Sequence, residues 1–393
     1  MMQQTYRMSQ LFTLFFISLG LMLYPSKGMA AGRHDYQIQT VAQGFDHPWG
    51  MVFLPNKTDL LVTEKKGILK QVNVQTGQVS TIEGTPMVDS RGQGGLLDIA
   101  LSPNFSEDHW VYLTWSGRDK AGNTTIYLGR GKFNQSKQRL TDLTVLFSAD
   151  PHVDGTGHYG GRIVFDDQGY LYMTVGDRQF KNFGSDHVAQ DLTTHLGKTL
   201  RFNADGSIPD DNPFVDQPNA KDAIYSYGHR NSQGMAISPE TGQLWQNEHG
   251  EQNGDEINVI QAGGNYGWPI ATYGVSYRTG KPFAQTPQER PDTIDPVYFW
   301  GPDDPEGFPP SGLTFYQGDA FKDWQGDILM GNLRHQYLGR FTVDGHQVDF
   351  TQRLLDQQDW RIRAVTVGPE HGYIYVLIDG QDVPLVRLVP DEG

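Results

Sequence analysis

The chain has 393 residues, no cysteine and a formal net charge of −15. Without cysteine there is no disulfide framework, no thiolate metal site and no lipoprotein anchor. The acidity argues against nucleic acid as the main partner, because phosphate recognition needs a basic face. Its 46 Gly and 22 Pro leave no long helical period, which favours many short strands joined by turns.

The N-terminus reads as a secretory signal peptide over residues 1–30. Arg7 supplies a positive start, and Leu11 to Leu23 is an apolar run too short for a comfortable membrane span. Gly28-Met29-Ala30 then offers small residues for cleavage near Ala31, so no stable membrane span and a periplasmic destination are expected.

Residues 31–393 read as one domain in which a pattern returns six times: a short apolar strand, a turn with Pro, Asp or Gly, and a second apolar strand. The copies begin at Trp49, Leu97, Arg162, Gly234, Gly312 and Ala364. Each is one sheet that cannot bury both faces alone. Radial stacking solves this, so the expectation is an all-β, six-bladed propeller of four-stranded antiparallel sheets. Phe180–His195 and Pro269–Pro310 interrupt the spacing and read as insertions lining the binding face.

Polar constellations fall between the repeats. Gly157-His158-Tyr159-Gly160-Gly161-Arg162 sets a histidine among glycines just before a strand, where it could act as a general base or merely bond a neighbouring loop. Tyr227-Gly228-His229-Arg230-Asn231-Ser232-Gln233 packs polar side chains before another strand, either as a ligand site or as a loop whose arginine pairs with an aspartate. Asn247 to Glu256 is dense in oxygen ligands and glycine turns; it suits Ca²⁺ but lacks EF-hand spacing, and a solvated acidic loop is the simpler alternative. Arg334 follows Asn332-Leu333, and Arg361 and Arg363 sit at i, i+2 on one strand face. Two such charges repel unless carboxylates or an anion lie between them, and an anionic ligand is the sharper explanation.

Taken together, Gly92-Gln93-Gly94-Gly95, the His158 segment, Gly197-Lys198-Thr199-Leu200-Arg201, Gly228-His229-Arg230-Asn231, Asp255-Glu256-Ile257-Asn258, Gly263 to Pro269 and Arg361-Ile362-Arg363 occur in an order that resembles the soluble quinoprotein glucose dehydrogenases and aldose sugar dehydrogenases. The resemblance runs from about Gly44 to the C-terminus and implies a six-bladed propeller that binds pyrroloquinoline quinone (PQQ) at one mouth. It implies His158 as the base that takes the anomeric proton of an aldose while the C1 hydride passes to the quinone. Asp177 matches the acidic partner of that histidine, and Arg230 the arginine that polarises the quinone. Gln93, Asn231, Arg334, Arg361 and Arg363 match cofactor-binding positions. For Ca²⁺ it implies the backbone carbonyls of Gly250 and Glu251, and a second, structural site at Glu256 and Tyr266, the tyrosine through its backbone.

This chain departs from the glucose dehydrogenase branch at Arg334, where that branch has Lys, and at His249-Gly250-Glu251, where it has Gln-Gly-Pro. Shorter insertions also align it with the aldose sugar branch, implying a wider range of aldoses. The expected partners are an aldose and an electron acceptor, with the chain a monomer or homodimer. The competing expectations are a Ca²⁺-dependent propeller lactonase, which needs carboxylates and Asn converging on the channel axis, and a non-enzymatic binding propeller.

Overall fold

The computed structural model describes residues 36–304 and 306–391; the signal segment and its cleavage point lie outside them. Among the described residues no helix is long and apolar enough to cross a membrane.

Six four-stranded antiparallel sheets form the blades of a propeller. Each sequence repeat supplies a blade's first two strands. These are Pro48–Phe53 with Asp59–Glu64, Leu96–Leu101 with Trp110–Arg118, and Gly160–Phe165 with Leu171–Val175. The others are Ser232–Ile237 with Leu244–Glu248, Pro310–Phe315 with Ile328–Asn332, and Ile362–Val367 with Ile374–Ile378. First strands contact those of the next blade in succession, and the first blade meets the sixth. The ring is latched by Tyr36–Phe45, which pairs with Val383–Pro390 as the outermost strand of the last blade.

The second strands explain why the blades stack. Leu60, Leu61 and Val62 are adjacent and all fully buried, and Ile374, Val376 and Leu377 of another second strand are fully buried too, because neighbouring blades cover both faces. Side chains then staple blade to blade. Thr63 donates to the Leu97 carbonyl, Thr114 to that of Gly161 at 2.6 Å and Asn247 to that of Ser311 at 2.8 Å. The Ser311 hydroxyl passes the pattern on to the Ile362 carbonyl at 2.6 Å. Each staple satisfies a buried polar group that would otherwise cost about 1–3 kcal/mol.

Antiparallel pairing puts the start of every first strand and the end of every second strand at the same mouth. In all six blades the register breaks at that start, and such bulges re-aim side chains. The expected insertions partly hold. Phe180–His195 lies between the second and third strands of the third blade and reaches the mouth through Lys181. Pro269–Pro310, however, contains Tyr298–Phe299, the fourth strand of its own blade. That strand is only 2 residues long, too short to show as a period in sequence.

Candidate active site

The mouth opens into a cavity of about 820 Å³. His158 lines it and is held by both its ring and its backbone. Its ring Nδ1 lies 2.7 Å from Asp177 Oδ1, and its backbone N–H donates to Gln93 Oε1 at 2.7 Å. Its backbone sits at φ 46, a left-handed conformation that suits the glycine-rich turn around it. The carbonyl of His158 presses on Gly176, where a Cβ would come within 2.2 Å of it. Only glycine lets Asp177 follow so closely on the second strand.

Asp177 is fully buried yet well bonded: Oδ1 also accepts from the Gln179 N–H at 2.9 Å, and Oδ2 from Trp268 Nε1 at 2.8 Å. Burial alone would raise its pKa, but the His158 hydrogen bond and the charges of His158 and Arg230 hold it below the usual carboxylate value. Burial pushes the His158 imidazole below its ordinary value, and Asp177 only partly restores it. The ring is therefore neutral at pH 7. With Nδ1–H donated to the carboxylate, Nε2 is left as the basic nitrogen.

Arg230 lines the same cavity. Its Nη2 donates to Glu251 Oε2 at 2.8 Å, and its guanidinium stands 5.1 Å from the Trp268 ring. Its Nε is buried without a partner among the described residues. Asn231 Oδ1 accepts from the Gly160 N–H at 3.3 Å, tying this segment to the histidine turn.

Across the cavity, Arg361 and Arg363 both donate to Asp379 Oδ2, at 3.2 and 2.9 Å. This corrects the expectation that a bound anion must relieve their repulsion, because a protein carboxylate already lies between them. Burial would raise Asp379, but Arg363 and Arg361 hold it down to about 2. The two are also less alike than the i, i+2 spacing implied. Arg361 precedes the strand and its side chain is 46% exposed, whereas that of Arg363 is 10% exposed. Cationic capacity nonetheless remains. Arg363 Nε is buried and unpartnered, Arg334 is exposed at the rim with no side-chain partner among the described residues, and Lys65 extends the same wall.

The acidic loop is not merely solvated, since Glu251 and Asp255 are buried. Asp255 accepts from the Gly250 and Phe308 N–H groups, and burial pushes its carboxyl up to about 6. The Glu251 carboxylate is committed to Arg230, but the Gly250 and Glu251 carbonyls accept no hydrogen bond among the described residues. Glu256 and Glu248 are buried side by side with the Asn258 amide between them, 3.3 and 3.5 Å away. Burial and the Glu248 charge raise Glu256 well above its usual value. A void of about 10 Å³, room for one small ion, touches both carboxylates and Tyr266. The Tyr266 hydroxyl is spent on the Val259 carbonyl at 2.6 Å. Among the described residues no cluster of three or more His, Asp or Glu side chains could hold a metal, so any ion here leans on backbone oxygens.

The sequence pattern of the glucose/sorbosone dehydrogenase family matches residues 45–387. The chain belongs to that family. It is 36% identical over 365 residues to an aldose sugar dehydrogenase of Escherichia coli (strain K12), covering 93% of this chain and 96% of that protein. It is 26% identical over 428 residues to quinoprotein glucose dehydrogenase B of Acinetobacter calcoaceticus, covering 91% and 88%. Among solved structures, the apo form of the soluble aldose sugar dehydrogenase of E. coli superposes with a TM-score of 0.83 at 35% identity, over 90% of this chain and 99% of that one. The PQQ-bound form of an aldose sugar dehydrogenase from Streptomyces coelicolor gives 0.73 at 29% identity, over 90% and 98%.

Every site residue named from the sequence lies inside the family match, and most gather at one cavity. Glu256 and Tyr266 stand apart at the small void, and Asp177 sits behind His158. Four contributors were missed as site residues: Asp379, Lys65, His249 and Trp268. A repeat-level signal existed for Asp379. It follows the second strand of its blade just as Asp177 follows Leu171–Val175, at the mouth where Glu64, Glu248 and Asn332 close other second strands. His249 is held by its Nε2, 2.6 Å from the Pro310 carbonyl, and burial pushes it down to about 3.

Proposed function

We propose that this glucose/sorbosone dehydrogenase family member oxidises aldose sugars at C1 to the lactone, with PQQ as cofactor and Ca²⁺ assisting, after export to the periplasm. The observation that carries the reading is the buried His158–Asp177 pair opening onto an 820 Å³ cavity that also holds Arg230, Arg334, Arg361 and Arg363.

The donor set fits a planar tricarboxylate. Most acidic groups of the cavity are already bonded: Glu251 to Arg230, Asp379 to Arg361 and Arg363, Asp255 to backbone N–H groups and Glu306 to Arg353. Among the described residues the buried donors left over, the Nε of Arg230 and Arg363, call for an anion from outside, and the exposed Arg334 guanidinium at the rim is free to join them. Gln93, Asn231, Arg334, Arg361 and Arg363 would hold PQQ, with Lys65 beside them. Bound there, PQQ would supply a two-electron acceptor for the C1 hydride, and an external electron acceptor would reoxidise it.

The chain's own work is proton handling and charge placement. His158 Nε2 takes the proton of the anomeric hydroxyl, and Asp177 holds the ring's tautomer and stabilises the imidazolium that forms. Arg230, braced by Glu251 and Trp268, would supply positive charge to a quinone held in the cavity. The uncommitted Gly250 and Glu251 carbonyls suit Ca²⁺ as a Lewis acid, and the Glu256–Tyr266 void suits a structural one. The cation-rich wall disfavours the lactonase alternative, which asks for free carboxylates on the axis.

The test is reconstitution: purified protein with PQQ and Ca²⁺, assayed for dye reduction against a panel of aldoses. The expected result is aldose-dependent reduction that His158→Ala abolishes while PQQ stays bound. Dye reduction that ignores PQQ, or survives in His158→Ala, would overturn the reading.

A further inference from the structure

We propose that Trp268 is a positioning residue that tunes the His158–Asp177 pair and couples it mechanically to Arg230. The inference deepens the reading above and rests on it for the reaction, though not for the contacts.

The indole is 4% exposed and touches both halves of the site. Its Nε1–H donates to Asp177 Oδ2 at 2.8 Å, the oxygen that His158 does not use. Its ring supports the Arg230 guanidinium at 5.1 Å. The backbone is pinned at both ends, N–H to the Gly228 carbonyl at 2.9 Å and carbonyl from Gln190 Nε2 at 2.8 Å. Phe183 and Phe283 flank the ring at 5.5 and 6.0 Å, so it has little room to swing away.

The chemical consequence has a definite sign. A carboxylate that accepts an extra hydrogen bond carries less charge toward its other partner. Trp268 therefore weakens Asp177's hold on a proton at His158 and keeps the ring in its neutral, basic form. The other charged or titratable groups facing His158 are Arg230, Lys181 and His249, and His187 Nε2 stands 3.8 Å from Asp177 Oδ2. Trp268 touches Asp177, not the reacting atoms, so it acts through the pair. A packing role alone would require the ring but not the N–H.

Two replacements separate those roles. Trp268→Phe keeps an aromatic face for Arg230 and removes the N–H. The sulfur analogue 3-benzothienylalanine at position 268 keeps the bicyclic shape and removes only the N–H, so it serves if the Phe variant fails to fold. The first readout is the His158 titration in the PQQ-free protein, followed by NMR of ring-labelled histidine. Both replacements should raise its midpoint by about half a pH unit or more. In the holoenzyme the acid limb of kcat/KM should rise with it, and kcat should fall about tenfold with KM nearly unchanged. An unchanged His158 midpoint in a folded benzothienyl protein would overturn the proposal even if the wild type is fully active. Failure of the wild type to bind PQQ would instead sink the cofactor reading and leave the titration result standing.

Discussion

Replacing Asp177 with Asn changes almost no volume but breaks the donor–acceptor logic around it. The wild-type carboxylate accepts from His158, the Gln179 N–H and Trp268 Nε1–H. An amide offers one oxygen and one NH₂. If the oxygen stays on His158, the NH₂ meets the Trp268 N–H donor to donor, leaving buried donors unpaired at a cost of about 1–3 kcal/mol. If the amide flips, His158 must accept through Nδ1 and carry its proton on Nε2, which removes the base. Either way the imidazolium loses its counter-charge. The expected loss in kcat is about 10²–10⁴-fold, with PQQ affinity close to wild type because Asp177 does not line the cavity. Asp177 is held below its usual value in the fold, so its stabilisation is present above about pH 4 and lost as pH falls through the depressed value. The Asn variant should lack that part of the acid sensitivity. Steady-state dye reduction at saturating PQQ and Ca²⁺ measures the rate, and urea unfolding at two pH values measures the stability. A variant within threefold of wild-type kcat would refute the pairing argument.

Arg361→Gln with Arg363→Gln should weaken PQQ binding at least tenfold, and should also lower the apo melting temperature because it strands Asp379 in a buried site at a cost of about 3 kcal/mol; unchanged PQQ affinity would count against the cradle. The profile of kcat/KM against pH should show an acid limb with its midpoint below 6.5, because burial depresses His158 and only the neutral ring is active; a limb above that value would assign it to another group. Gly176→Ala should lose activity and about 1–3 kcal/mol of stability, since its Cβ would sit 2.2 Å from the His158 carbonyl; a fully active, equally stable variant would show that the turn can shift without harm.

Much of the fold was legible because the second strands are buried on both faces, so runs such as Leu60-Leu61-Val62 stand out against the turns between them. The outer strands were not legible. Tyr298–Phe299 is two residues long, and the strand Arg139–Ser148 is mostly exposed, with Val145 54% exposed, so neither leaves a buried period. At the site, His158 and Arg230 announced themselves through their glycine-rich and polar neighbours. Asp379 carried only its place after a blade's second strand, because a single Asp before Gly otherwise reads as a turn, and its partnership with Arg361 and Arg363 exists only once two strands of the blade pair. Trp268 had no signal of role either: its indole meets Asp177 across 91 residues of chain, a contact set by the packing of two neighbouring blades rather than by local pattern.

The central claim, that His158 and the cation-lined cavity oxidise an aldose at C1 through bound PQQ, is tested most directly by an anaerobic single turnover of PQQ- and Ca²⁺-loaded protein with an aldose carrying deuterium at C1. The account predicts that the bound cofactor is reduced once per site, with a primary isotope effect of about two or more, and that His158→Ala slows the step about a hundredfold or more. Loaded protein that no aldose reduces, or a His158→Ala variant that turns over at the wild-type rate, would contradict it.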